Sequence, residues 1–311
     1  MEPTYSIIVP VYNEEAVILS SYERLTKVMQ SLAAPYEMLF IDDGSSDKTA
    51  AICAGICQND ASVRLISFSR NFGHQPAITA GMDCARGRAV VIIDADLQDP
   101  PEVIPGMVAL WQQGYDVVYG KRQSRLGESV FKKLTASLYY RFLRYMTRID
   151  IPVDTGDFRL IDRKVCDAMK NLDERNRYVR GLISWVGFKQ IALEYARAPR
   201  LAGETKYPFR KMVRLALDGI TAFSYKPLRL AAYTGLFISF VSFAYLVFVL
   251  YLTLFTDATI TGWASTIAVI LFTQGIVLMM LGLMGEYIGR LFDEVKKRPI
   301  YIVKEKHGFD R

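Results

Sequence analysis

Two long runs without a charged residue constrain this chain more than any other feature. One covers residues 231–255 and the other residues 258–285. Each exceeds the roughly 20 residues that a helix needs to cross the hydrocarbon core of a bilayer. A soluble core helix of that length would carry a polar stripe, so both runs are read as membrane spans. Lys226 and Arg229 precede the first run, and Arg290, Lys296, Lys297 and Arg298 follow the second. The short connection around Asp257 carries neither Lys nor Arg. This asymmetry places both termini in the cytoplasm and the hairpin loop on the far side of the membrane. Met1-Glu2-Pro3-Thr4 leads straight into a strand-like run, with no basic and apolar leader pattern. The expected organisation is a cytoplasmic domain over residues 1–225, a two-helix hairpin over 226–290 and a cytoplasmic tail over 291–311. The expected location is the inner (plasma) membrane.

The part before the spans alternates between two periods. Residues 5–11, 37–41, 63–68, 89–93 and 116–120 read as strands; residues 14–32, 76–85 and 101–113 read as helices. A further helix follows 42–47, with Ser46 or Asp47 suited to cap it. Such alternation predicts an α/β domain built on a mostly parallel sheet with helices on both faces. In such sheets ligands sit beyond the carboxyl ends of the strands. The polar clusters fall at those ends: Asn13-Glu14-Glu15, Asp42-Asp43, Arg70-Asn71, the stretch from Asp94 to Asp99, and Lys121-Arg122.

The run Ala89-Val90-Val91-Ile92-Ile93 has the character of a strand covered on both faces. Asp94, Asp96 and Gln98 alternate immediately after it, so their side chains are expected to share one rim. Two carboxylates and an amide oxygen are hard-cation ligands, suited to Mg²⁺ or Mn²⁺ that a phosphate also holds. By itself, a lone Asp-x-Asp is equally a solvated acidic loop.

Other classes lose ground. No Gly-x-Gly-x-x-Gly follows the first strand and no phosphate-binding Gly-x-x-x-x-Gly-Lys-Ser/Thr occurs anywhere, which argues against a dinucleotide oxidoreductase and a P-loop NTPase. Cys53, Cys57, Cys84 and Cys166 form no metal-ligand pattern, and the only histidines are His74 and His307. Reduced, packed thiols of a cytosolic domain are expected. The net charge of +6 is carried by basic clusters near apolar segments, which suits an anionic membrane face and not a nucleic acid. Residues 131–149 have the pattern of a basic amphipathic helix, suited to a membrane surface or to an ordinary domain surface. A second basic stretch, residues 197–214, leads towards the first span.

Taken together, these residues resemble the family 2 glycosyltransferases, which have a GT-A fold. The resemblance rests on Val9-Pro10-Val11-Tyr12-Asn13-Glu14, Ile41-Asp42-Asp43-Gly44-Ser45-Ser46-Asp47 and Asp94-Ala95-Asp96-Leu97-Gln98-Asp99. Within that family the chain is similar to the polyprenyl-phosphate glycosyltransferases, among them dolichyl-phosphate mannose synthase, and especially to the bactoprenol glucosyltransferase branch. Arg70-Asn71-Phe72-Gly73, Gly156-Asp157-Phe158-Arg159-Leu160, Gly203-Glu204-Thr205-Lys206-Tyr207 and Leu283-Met284-Gly285-Glu286-Tyr287-Ile288-Gly289-Arg290 add to this. The likeness runs from about residue 5 to residue 303.

The resemblance implies a nucleotide-sugar donor, with UDP-glucose first among candidates, and a polyprenyl phosphate acceptor such as undecaprenyl phosphate. It implies Asp96 and Gln98 as metal ligands, with Asp94 on the metal or the ribose. Pro10, Tyr12, Glu14, Asp42 and Asn71 would line the donor site. Lys121, Arg122, Arg159 and Lys206, with Arg125 beside them, are the cations for two negatively charged reactants. Asp157 would act as a base, position the acceptor, or partner Arg159. If its segment is extended, Asp157 and Arg159 share one face and Phe158 turns into the core. Gly275, Gly282, Gly285 and Gly289 recur at helical spacing and suggest a homo-oligomer, or close packing of the second span on the first. Three rivals carry less: a processive polysaccharide synthase lacks its Gln-x-x-Arg-Trp motif here, a scaffold or lipid carrier needs no acidic rim, and a flippase needs a polar path through the spans.

Overall fold

The computed structural model describes residues 2–122, 155–172, 174–196, 224, 226–255 and 262–309. They divide into two units, one of residues 1–219 with 298–311 and one of residues 220–297.

The first unit is an α/β sheet domain. Its strands are β1 (Tyr5–Val11), β2 (Tyr36–Asp42), β3 (Val63–Phe68), β4 (Ala89–Ile92), β5 (Val117–Arg122), β6 (Thr155–Asp162), β7 (Gln190–Tyr195) and β8 (Val303–His307). They lie in the order β7-β5-β6-β4-β1-β2-β3-β8. Between them run α1 (Ile18–Ser31), α2 (Thr49–Asn59), α3 (His74–Cys84), α4 (Ile104–Gln112), α5 (Arg163–Lys170) and α6 (Val179–Trp185). The centre is parallel, β4-β1-β2-β3, because each crossover is a helix. β1, β3 and β4 are buried along their whole length and β2 is buried beyond Tyr36, as strands covered on both faces should be. Ile7, Val9, Phe40, Leu65 and Val91 belong to one core cluster.

Two strands run against the rest. β6 lies antiparallel between β4 and β5, so its first residues start at the edge where the parallel strands end. β8 pairs antiparallel with β3. The segment expected to be a tail is therefore an edge strand of the sheet. Tyr301 stacks on Phe68 at 5.0 Å and its hydroxyl donates to Asp83. Covering β3 removes an open edge of backbone donors and acceptors. Beneath the sheet centre, Glu37 accepts from Ser6, from the Arg86 backbone and from Arg64 at 2.7 Å. This buried network ties β1, β2 and β3 together.

The expected elements recur with small shifts. The helix after β2 starts at Thr49 with Lys48 at its cap position; Asp47 instead accepts from the Thr49 and Glu15 backbones. All four cysteines are free and three are buried; burial pushes the Cys166 thiol up to about 12.

The second unit holds α7 (Lys226–Phe255) and α8 (Trp263–Lys296). At 30 and 34 residues, both exceed the ~30 Å of a bilayer core at 1.5 Å per residue. Lys226–Tyr245 and Phe272–Lys296 are apolar enough to span, and none of either stretch is buried inside the protein. Phe237, Phe240, Phe272 and Met279 all face outward, which a soluble core helix would not allow. A side chain added at Gly275, Gly282, Gly285 or Gly289 would meet nothing among the described residues, whereas Gly235 faces Met280. The glycine repeat is thus not what packs α8 on α7. Residues 131–149 and 197–214 lie outside the described residues.

Candidate active site

The carboxyl ends of β1 to β5 carry most of the expected residues, and β6 carries Asp157 and Arg159. Ile92 pairs with Arg159 in the β4–β6 register. Continuing that register past the strand end brings Asp94 opposite Asp157. Leu97 has φ +56°, so the chain turns here and the Asp94–Asp96–Gln98 rim is not an extended segment. Asp94 and Asp96 are half-buried and Gln98 is buried. The Gln98 backbone donates to Asp96 at 3.1 Å. Burial, with the carboxylates of Asp157, Asp96 and Asp99 beside it, raises the Asp94 carboxyl above its usual range against the pull of His74. A cation placed there would relieve this excess of negative charge. Among the described residues no three His, Cys, Asp or Glu side chains form an ion cage. Two carboxylates and an amide oxygen are hard-cation donors, the kind that suit a divalent ion whose remaining ligands come from substrate phosphates and water.

Asp157 corrects an expectation. It shares no ion pair with Arg159. Its partner is Arg180 at the start of α6, with Nε donating to Oδ1 at 2.6 Å and Nη2 to Oδ2 at 2.9 Å. The second oxygen also lies 3.0 Å from Nε2 of His74, the first residue of α3. Burial raises the Asp157 carboxyl, but Arg180 and His74 outweigh it and hold it well below the usual range. A carboxylate so stabilised is a poor proton acceptor near neutral pH. Burial lowers His74, and the Asp157 contact with the Asp94 and Asp157 charges overrides this, raising it to about 9. Phe158 turns into the core as expected. Arg159 is buried, donates to the Gly156 carbonyl at 3.0 Å, and keeps an unpartnered Nε. Burial lowers it to about 10, still a cation.

A second cluster adjoins this one. Arg122 at the end of β5 pairs with buried Asp99 at 3.2 Å, and the Tyr195 hydroxyl donates to the same carboxylate at 2.5 Å. A Cβ at Gly156 would lie 2.7 Å from Arg122 Nη2, so the missing side chain lets this guanidinium lie against the start of β6. Lys121 instead pairs with Glu194 at an exposed site. Lys206 and Arg125 lie outside the described residues.

The first three strands end in a loop system. Pro10 is buried within β1, while Tyr12 just past it is 42% exposed. Asn13, at φ +52°, accepts from the Ser46 backbone. The Glu14 backbone donates to Thr49. Asp42 is buried and accepts from the Ser45 backbone, which places it in the turn. Asp43 accepts from the backbones of Phe72 and Gly73 and so fixes the loop that leads into His74. Gly44, at φ +68°, has the Arg70 backbone 2.4 Å from where a Cβ would stand. Asn71 is exposed beside it.

Sequence reasoning missed His74, Arg180 and Tyr195. His74 had one signal: it follows Arg70-Asn71-Phe72-Gly73 at a helix start. Arg180 and Tyr195 had none, because only the β6 register and the sheet order bring them here.

Comparison with known proteins places the chain. The model of "Glycosyl transferase family 2" matches residues 6–169, and that of "GtrB C-terminal hairpin" matches residues 226–291. YkcC of Bacillus subtilis (strain 168), described as an uncharacterized glycosyltransferase, is 60% identical over 98% of this chain and 95% of its own. The bactoprenol glucosyl transferase of Shigella phage SfII is 42% identical over 97% of this chain and 98% of its own. Among solved structures, mannosyl-3-phosphoglycerate synthase from Rubrobacter xylanophilus is 17% identical, over 73% of this chain and 74% of its own, at a TM-score of 0.49; at that distance the likeness says nothing of ligands. The chain belongs to glycosyl transferase family 2: it is a glycosyltransferase with a mostly parallel α/β catalytic domain and a GtrB-type C-terminal hairpin.

Proposed function

We propose that the enzyme transfers glucose from UDP-glucose to undecaprenyl phosphate at the cytoplasmic face of the inner membrane, in a single inverting displacement. One observation carries the reading. The chain matches a bactoprenol glucosyl transferase over nearly its full length.

The acceptor is a phosphate monoester and already an anion, so its oxygen attacks the anomeric carbon without needing a base. A bond forms between that oxygen and the sugar carbon as the bond from carbon to the nucleoside diphosphate breaks. Asp94, Asp96 and Gln98 would hold Mg²⁺ or Mn²⁺. When bound, such an ion neutralises charge on the leaving diphosphate. Arg122 and Arg159, with Lys121 and Lys206, offset the repulsion between two anionic substrates and orient them. Asp157 is a positioner in this scheme, since its ion pair with Arg180 leaves it a weak base. Tyr12, Pro10, Glu14, Asp42 and Asn71 line the donor side. A polyprenyl tail resists leaving the bilayer at ~0.8 kcal/mol per methylene, so the acceptor phosphate is met at the membrane surface. A homo-oligomer is part of the same proposal, since small residues such as the glycines of α8 let helices approach closely in lipid; full activity of a monomer would remove its need.

The test is a donor screen with undecaprenyl phosphate in nanodiscs, reading the lipid product by mass. A hexose adduct from UDP-glucose alone supports the reading. Adducts from another donor only, or saccharide chains longer than one unit, overturn it.

A further inference from the structure

Arg122 ends β5, and contacts from two other parts of the chain fix its long side chain. Nη2 donates to both carboxylate oxygens of Asp99, at 3.4 and 3.2 Å. Nε donates to the Tyr195 hydroxyl at 3.4 Å. That hydroxyl donates in turn to Oδ1 of Asp99 at 2.5 Å. The three groups close a triangle. Sheet register sets it, because Arg122 and Tyr195 are paired residues of the parallel strands β5 and β7. The aromatic ring of Tyr195 has a seat of its own. It meets Phe158 edge-on at 5.7 Å, and a Cβ at Gly120 would stand 2.8 Å from it, so that glycine clears the space. Core packing accounts for the ring and not for the hydroxyl. Asp99 and Tyr195 are buried, while the Arg122 side chain stays partly open. Its third nitrogen, Nη1, makes no hydrogen bond among the described residues.

We propose that Tyr195 is a positioning residue: its hydroxyl, with Asp99, clamps Arg122 by Nε and Nη2 and leaves Nη1 for the acceptor phosphate. The inference rests on the polyprenyl-phosphate reading of the acceptor. An unclamped arginine loses side-chain freedom when it binds an anion, and a clamped one has lost it already. The clamp makes a prediction that a packing role does not. The hydroxyl acts through Arg122, so its removal should matter only while Arg122 is present.

The experiment is steady-state transfer from UDP-glucose by the full chain in nanodiscs of graded undecaprenyl phosphate content, with thermal unfolding followed alongside. Tyr195→Phe keeps the ring and removes one oxygen. Its KM for the lipid phosphate should rise about tenfold, the worth of one hydrogen bond to a charged group, while its KM for UDP-glucose stays near the wild type. In an Arg122→Gln background the same substitution should move the lipid KM by less than about twofold, since the two residues then share no interaction to lose. If Tyr195→Phe does not fold, Asp99→Asn carries the test: it keeps an acceptor for the hydroxyl, weakens the hold on Arg122, and should raise the lipid KM only where Arg122 is present. An unchanged lipid KM, an equal rise in both KM values, or the same loss with and without Arg122 would overturn the clamp. A wild-type chain that binds UDP-glucose but forms no lipid-linked product would overturn the acceptor reading, and the inference with it.

Discussion

Arg180 grips Asp157 through two parallel contacts, at 2.6 and 2.9 Å. The pair joins β6 to the start of α6 at the edge where the parallel strands end. It also settles which arginine Asp157 holds, and leaves Arg159 with no carboxylate partner among the described residues. Bidentate pairing fixes the carboxylate in orientation as well as in charge.

Asp157→Asn keeps the shape and removes the charge. Lipid-dependent transfer is expected to fall about 100-fold, as when a preorganised electrostatic group is lost. UDP-glucose affinity should change little. The fold should lose about 1–3 kcal/mol, because Arg180 loses a charged partner; denaturant unfolding measures this. Near-normal transfer would reduce the pair to a structural role.

Gly156→Ala should displace Arg122. The added methyl would stand 2.7 Å from Nη2, and a guanidinium can swing away where backbone cannot. Stability should drop by less than about 1.5 kcal/mol, while transfer falls and the KM for the lipid phosphate rises. Unchanged lipid kinetics would remove Arg122 from the acceptor site.

Much of this arrangement was legible in the sequence. The strand–helix alternation and the two uncharged runs follow from periodicity and length, which depend on local chemistry alone. The place of Asp94, Asp96 and the β1 and β2 end loops at the ends of strands was legible because each follows a recognisable strand. Asp157 was singled out in the sequence, but its partner was not. Asp157 and Arg159 alternate along one strand, and that pattern suggested a pair. The true partner, Arg180, lies on a short helix whose position depends on how β6 enters the sheet against its neighbours. β8 was missed for a similar reason. Val303-Lys304-Glu305-Lys306-His307 is too polar to read as a strand, and it forms one only because β3 offers an open edge.

That edge strand gives its own prediction. Tyr301→Ala removes the stacking on Phe68 and the hydrogen bond to Asp83, and should cost about 2–4 kcal/mol. Phe68 also meets Phe72 edge-on at 5.8 Å, so amide exchange in residues 69–73 should quicken. Unchanged exchange there would show that β8 does not support the loop.

Topology is open to a labelling test. A single cysteine at Thr259, in a chain without Cys53, Cys57, Cys84 and Cys166, should react with an impermeant thiol reagent only from the non-cytoplasmic side. Labelling only from the cytoplasm would contradict the placement of both termini inside.

The most direct test of the central claim is a transfer assay with UDP-glucose, with and without undecaprenyl phosphate, Mn²⁺ and a chelator. The account predicts a glucosyl-phosphate lipid that forms only when lipid phosphate and metal are both present. Asp96→Ala should lower the rate at least about 100-fold with the fold intact. Full transfer in chelator, or release of free glucose at the same rate without the lipid, would contradict it.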